Sequence, residues 1–148
     1  PAAAPAAGGP TAYDVFISYT HADAELVTDL AGRLRRHGIA VAYDELILPG
    51  DTLVHSVEKL LLESADGLLV YSPAALASRW VRDEYAVLMQ RSIEEGRLFI
   101  PVLTAGVEKT DLPPFAQARM HSDLRGASDE EFDREVERIA TALRAARR

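Results

Sequence analysis

Apolar residues in this chain alternate between two rhythms. Short unbroken runs occur at Val15–Tyr19, Ile39–Tyr43, Gly67–Tyr71 and Leu98–Leu103, with a weaker fifth at Met120–Leu124. Runs of this length, apolar on both faces, are what strands of a covered parallel sheet look like. The segments between them carry a helical period instead. Ala22–His37 sets Leu26, Leu30 and Leu34 four apart on one stripe, with Gly38 placed to end the helix in a left-handed conformation. A second helix is predicted around Leu53, Val57, Leu60 and Leu61, and a third over Arg79–Glu95 with Val81, Tyr85, Leu88 and Met89, stopping at Gly96. The last is opened by the capping box Ser128-Asp129-Glu130-Glu131 and repeats Phe132, Val136, Ile139 and Leu143.

Five β-α units of this size close most simply into a doubly wound, flavodoxin-like α/β fold. The right-handed crossover rule leaves few topologies, and the expectation is three layers: a parallel five-stranded sheet of order 2-1-3-4-5 with helices on both faces. Ligands in such sheets bind at the carboxyl ends of the strands. The loops that begin at Tyr19, Asp44, Ser72 and Thr104 are therefore the ones to inspect.

The chain's 148 residues, 48% hydrophobic and 26% charged, suit one domain with one core. Residues 1–11, PAAAPAAGGPT, offer almost nothing to bury and read as a disordered leader, with the folded domain spanning 12–148. No stretch approaches the roughly 20 apolar residues that cross a bilayer, so no membrane partner is expected. The absence of cysteine excludes disulfides and thiolate chemistry and fits a reducing, cytoplasmic setting. A net charge of -7 argues against nucleic acid as a partner. The clusters Arg33, Arg35, Arg36 and Arg144, Arg147, Arg148 read as solvated faces or helix C-terminal charges.

Several α/β chemistries fail on motif. Neither G-x-G-x-x-G nor G-x-x-x-x-G-K-[ST] is present, the third strand ends in Tyr71-Ser72-Pro73 instead of a phosphoacceptor Asp, and no G-x-S-x-G elbow occurs. His21, His37, His55 and His121 are scattered without i, i+4 pairing, so no metal is expected.

Three separated segments remain. Tyr13-Asp14-Val15-Phe16-Ile17-Ser18-Tyr19 resembles the opening strand of the TIR (Toll/interleukin-1 receptor) domain family, with its F-I-S-Y signature. Tyr43 through Asp51, containing Leu46-Ile47-Leu48-Pro49-Gly50, is similar to that family's BB loop. Ser78-Arg79-Trp80-Val81-Arg82-Asp83-Glu84 matches the S-x-W-x-x-x-E pattern of NAD-cleaving members. The resemblance covers residues 13 to about 146 and points to bacterial NAD-cleaving immune effectors active against phage.

On a helix, Trp80 and Glu84 share one face a turn apart, and Ser78 is a natural N-cap ahead of them. Spacing alone leaves two readings open: a core tryptophan beside a solvated glutamate, or an aromatic wall beside a catalytic carboxylate. The resemblance implies the second, with Glu84 catalytic and Ser78 and Trp80 against the substrate. It also implies that Tyr19, Thr20 and His21 line the nucleotide cleft. Asp44 ends the second strand and either faces the cleft or caps the loop through an Asx-turn. Asp83 points about 100° away from Glu84 around the helix and is an unlikely substitute.

One carboxylate suffices for this reaction. Nicotinamide leaves NAD+ as a neutral molecule from a cationic pyridinium, so no general acid is needed, and the barrier lies in forming an oxocarbenium-like ribose that Glu84 would stabilise. NAD+ is then a substrate and no cofactor is called for. The resemblance further implies self-association, head-to-tail through Leu46, Ile47, Leu48, Pro49 and Gly50, whose three adjacent apolar residues in a loop suit an interface. Two other readings stand beside this one. The domain is a non-catalytic adaptor that pairs with other TIR domains, or it is a truncated module, since Ala142–Arg148 looks like a cut within a helix or linker ahead of a fused sensor domain.

Overall fold

The computed structural model describes residues 12–45, 64–78, 81, 90, 93–117 and 120–146. The chain runs through β1 (Tyr13–Tyr19), a 3-10 turn (His21–Asp23), α1 (Ala24–Arg36), β2 (Val41–Glu45), β3 (Ser64–Tyr71) and α2 (Pro73–Ala77). It continues with β4 (Phe99–Leu103), a 3-10 turn (Lys109–Asp111), α3 (Pro114–Gln117), β5 (Ser122–Asp123) and α4 (Asp129–Ala145). The strands form one sheet in the order β2-β1-β3-β4-β5, every neighbouring pair parallel. This is the flavodoxin-like α/β arrangement that the sequence predicts.

Alternation along the strands divides the core between the two faces. On one, Val15, Ile17, Val70, Ile100 and Val102 pack under Val27, Leu30 and Leu34 of α1 and Val136, Ile139 and Leu143 of α4. On the other, Phe16, Leu69, Tyr71, Phe99 and Leu103 meet Val81, Leu112 and Ala116. Each such fully buried aliphatic side chain is worth about 1.5–3 kcal/mol of transfer free energy, so the sheet is held from both sides.

Helix ends follow the expected chemistry. Gly38, at φ +81°, lets the Gly38 N–H reach the Arg35 carbonyl and the Ile39 N–H reach that of Leu34, a Schellman closure of α1. At α4, Ser128 accepts from the Glu131 N–H while the Glu131 side chain accepts from Ser128 N–H, completing the capping box.

Several boundaries differ from the pattern-based expectation, with β1 starting early at Tyr13 and β2 running on to Glu45 among them. β2 begins at Val41, two residues late, because the Ile39 N–H is spent on closing α1 and the Ala40 N–H goes to Asp14 Oδ2. β3 begins at Ser64, three residues before its apolar run, because Tyr13 and Val15 of β1 pair with Ser64 and Asp66. The polarity of these two buried residues hid the strand, although Asp66 Oδ1 accepts the Leu98 N–H at 2.8 Å. β5 is only two residues long. Thr104 N–H bonds the Tyr71 carbonyl on β3, and the Leu103 carbonyl accepts from Leu124 on the opposite side, so alternate residues of β4 face β5. Pro101 stands on that β5 side with no N–H to give, and pairing with β5 is confined to Val102 and Leu103.

The expected second helix, around Leu53 to Leu61, lies outside the described residues, as does most of the third. Of the third, Val81, Gln90, Ile93 and Glu94 are helical and Gly96 adopts φ +91° at its end. Ahead of it the sequence reading missed α2, whose signal is Ser72-Pro73: Ser72 caps by accepting from the Ala75 N–H, and Pro73 occupies the first turn.

Candidate functional site

The strand order reverses beside β1, so the crevice expected of this fold opens over the carboxyl ends of β1 and β3. The loop after β1 supplies Thr20, His21 and Asp23; the loop after β3 supplies Ser72. A single carboxylate links them. Asp23 Oδ2 accepts from the Thr20 hydroxyl at 2.9 Å and from the Ser72 hydroxyl, 49 residues away in sequence. Thr20 and Ser72 are buried, at 2% and 3% exposure, and Asp23 is half-buried. The neighbouring loop is tied in the same way, with the Thr104 hydroxyl and N–H both donating to the Tyr71 carbonyl at 3.1 Å.

The candidate residues take distinct positions. Tyr19 is buried, and its ring lies 5.9 Å from that of Tyr43 in a tilted contact, with the Arg35 guanidinium 5.5 Å from the Tyr43 ring centroid. Its ring is thus part of the core face beneath the crevice. His21 is exposed at the rim. Asp44 pairs with Ser18 at the end of β2, on the same pole of the sheet. Ser78 has extended backbone angles, and its Oγ accepts from the Val81 N–H at 3.2 Å, the bond of an N-cap to the third residue of a helix. Trp80, Glu84 and the interface residues Leu46, Ile47, Leu48, Pro49 and Gly50 lie outside the described residues.

Two residues here escaped the sequence reading, Asp23 and Ser72. Thr20 and Asp23 are three apart, a spacing common to many turns, and nothing in a single sequence pairs Asp23 with Ser72. A separate cavity of about 350 Å³ lies between α2 and the Lys109–Asp111 turn, lined by Tyr71, Leu76, Val81, Asp111 and Pro113. Burial pushes the Tyr71 phenol well above its usual range, so it stays protonated there. Among the described residues, no group of three or more His, Cys, Asp or Glu side chains is arranged to hold a metal ion, and no helix is long and apolar enough to cross a membrane.

Comparison with known proteins adds three findings. A profile described as "TIR domain" matches residues 15–140. The chain is 32% identical over 134 residues, 89% of its length, to the NAD(+) hydrolase TcpA of Theionarchaea archaeon (strain DG-70-1), and 32% identical over 92 residues, 61% of its length, to the 2' cyclic ADP-D-ribose synthase BtTIR of Bacteroides thetaiotaomicron. It spans only 40% and 32% of those two proteins' own lengths. Among solved structures, a metazoan TIR-STING receptor from C. gigas in complex with 2',3'-cGAMP superposes with a TM-score of 0.71 at 28% identity, covering 90% of this chain and 40% of that one.

Proposed function

As this chain belongs to the TIR domain family, we propose that it cleaves the nicotinamide-ribose bond of NAD+, with Glu84 as the catalytic carboxylate. The products are nicotinamide and ADP-ribose or a cyclic ADP-ribose; relatives bearing the names of an NAD(+) hydrolase and of a cyclic ADP-ribose synthase support both outcomes. The observation that supports this reading is the S-x-W-x-x-x-E segment together with its start: Ser78 accepts from the Val81 N–H directly after α2, the short helix that follows the carboxyl end of β3, the pole at which ligands bind in such sheets.

In this reading the ribose sits over the β1/β3 crevice, Trp80 walls the nicotinamide, and Glu84 stabilises the oxocarbenium-like ribose as the neutral base departs. Thr20 and His21 of the first loop and Asp44 of the second flank the nucleotide, with Tyr19 bracing the floor. The domain acts in the cytoplasm against phage and is switched on by self-assembly.

Glu84→Gln keeps shape and removes charge. Nicotinamide release by this variant, followed by chromatography and mass, should fall by at least about two orders of magnitude while circular dichroism stays unchanged. Turnover within a few-fold of the parent would remove Glu84 from the reaction. A parent that releases no nicotinamide at high protein concentration would make the domain an adaptor.

A further inference from the structure

Asp23 stands at the N-cap position of α1, yet its side chain makes no capping bond. An Asp at this position ordinarily accepts from the first free N–H groups of the helix, and that geometry is forgone. Its carboxylate turns instead across the crevice, where Oδ2 takes two hydroxyl donors, Thr20 and Ser72. Both donors are almost wholly buried and belong to the two loops that flank the fold's switch point. Ser72 is also occupied on its other side, since its Oγ accepts from the Ala75 N–H and so fixes the start of α2. One oxygen of Asp23 thereby registers the first loop against α2, and α2 leads directly into Ser78 and the segment bearing Trp80 and Glu84.

We infer that Asp23 is a positioning residue for the nucleotide: its carboxylate clamps the loop after β1 to the loop after β3 and sets the width of the crevice that receives NAD+. The inference rests on the NAD+ reading above. The hydroxyl-to-carboxylate bonds are charge-assisted and partly shielded from water, which makes them stiffer than ordinary surface bonds. Releasing them lets the two walls drift apart and weakens contacts that the ground state and the transition state share, a loss that appears in KM before kcat.

The test uses the whole chain and four variants: Asp23→Ala, Asp23→Asn, Thr20→Val and the Asp23→Ala/Thr20→Val pair. Thr20→Val preserves the shape of Thr20 and deletes one donor. NAD+ turnover gives KM and kcat, thermal melting gives stability, and calorimetry in the Glu84→Gln background gives NAD+ affinity without consuming it. For Asp23→Ala, KM should rise about tenfold with kcat within about threefold of the parent. NAD+ affinity should weaken by the same factor. Asp23→Asn, which keeps one acceptor oxygen, should recover most of that loss, and Thr20→Val should add little once Asp23 is already alanine.

Unchanged KM and affinity in a folded Asp23→Ala variant would overturn the clamp. So would losses that merely track a falling melting temperature and are additive between the two sites. If Asp23→Ala fails to fold, Thr20→Val, which removes one of the two donors to Asp23, decides by the same criteria. A parent that binds NAD+ without turning it over sinks the hydrolase reading while the affinity comparison still judges the clamp. A parent that does not bind NAD+ sinks both.

Discussion

Arg33 joins the first helix to the last. Its guanidinium bonds Asp29 on α1 and Asp129 and Asp133 on α4, and lies 4.3 Å from the Phe132 ring centroid. The three carboxylates hold its pKa well above the ordinary arginine range. Those carboxylates are 48% to 81% exposed, so each pair is screened, and the stacking on Phe132 adds to a modest sum. Arg33→Lys, which keeps charge but loses the fork and the stack, should cost about 1 kcal/mol in urea unfolding, with part of the difference vanishing in high salt. The sequence reading placed Arg33 on a solvated face, because helical periodicity shows which stripe is apolar but not that a partner helix some hundred residues on delivers two aspartates. Asp123 makes a second prediction. Its pair with Arg125 lowers its pKa from 3.8 to about 2. A carboxylate depressed in the folded state contributes stability above 3.8 that is lost as pH falls toward 2. Acid titration of Asp123→Asn should therefore show a shallower loss of stability across that window, by less than about 1 kcal/mol given the exposure of the pair. An identical slope in parent and variant would show that the pair contributes nothing.

At the level of elements, the helices that carry a full apolar stripe were legible and the strand starts were not. Leu30 and Leu34 of α1 and Val136, Ile139 and Leu143 of α4 are buried as their spacing requires. β3, by contrast, is lengthened by Ser64 and Asp66, whose place is set by pairing to β1 and not by their own polarity. α2 has five residues, too few to display a period. How it is held is a matter of close approach. Gly106, in the loop after β4, adopts φ +90°, and a Cβ there would come within 3.0 Å of Pro73 Cγ in the first turn of α2. Gly106→Ala should destabilise the fold by about 1–2 kcal/mol through left-handed strain, before any displacement of Pro73. Chemical unfolding measures it, and a variant as stable as its parent would mean that the loop relaxes freely.

For the molecule as a whole, the sequence offers a candidate site as a motif and hides how loops meet beside it. The proposed chemistry rests on the S-x-W-x-x-x-E spacing in one short segment, whereas Asp23 and Ser72 meet only because β1 and β3 are neighbours in the sheet. The proposed activation by self-association belongs at this scale. In the sequence, Leu46, Ile47 and Leu48 stand as an apolar run beside Pro49-Gly50, which suits a contact in a chain with net charge -7. Turnover per molecule should rise with protein concentration in the parent and stay low in Leu48→Asp, which puts an unpaired charge in the contact. A flat concentration dependence, with Leu48→Asp as active as its parent, would make the site complete within one chain. Pro101 bears on how such copies meet. Pro101 gives no N–H on the β5 side of β4, and with a β5 of two residues that margin of the sheet offers a visiting backbone a broken row of donors. It is a selvedge, finished against fraying into ribbons of shared sheet, and a contact at this margin would be made by side chains, which a mutation can retune.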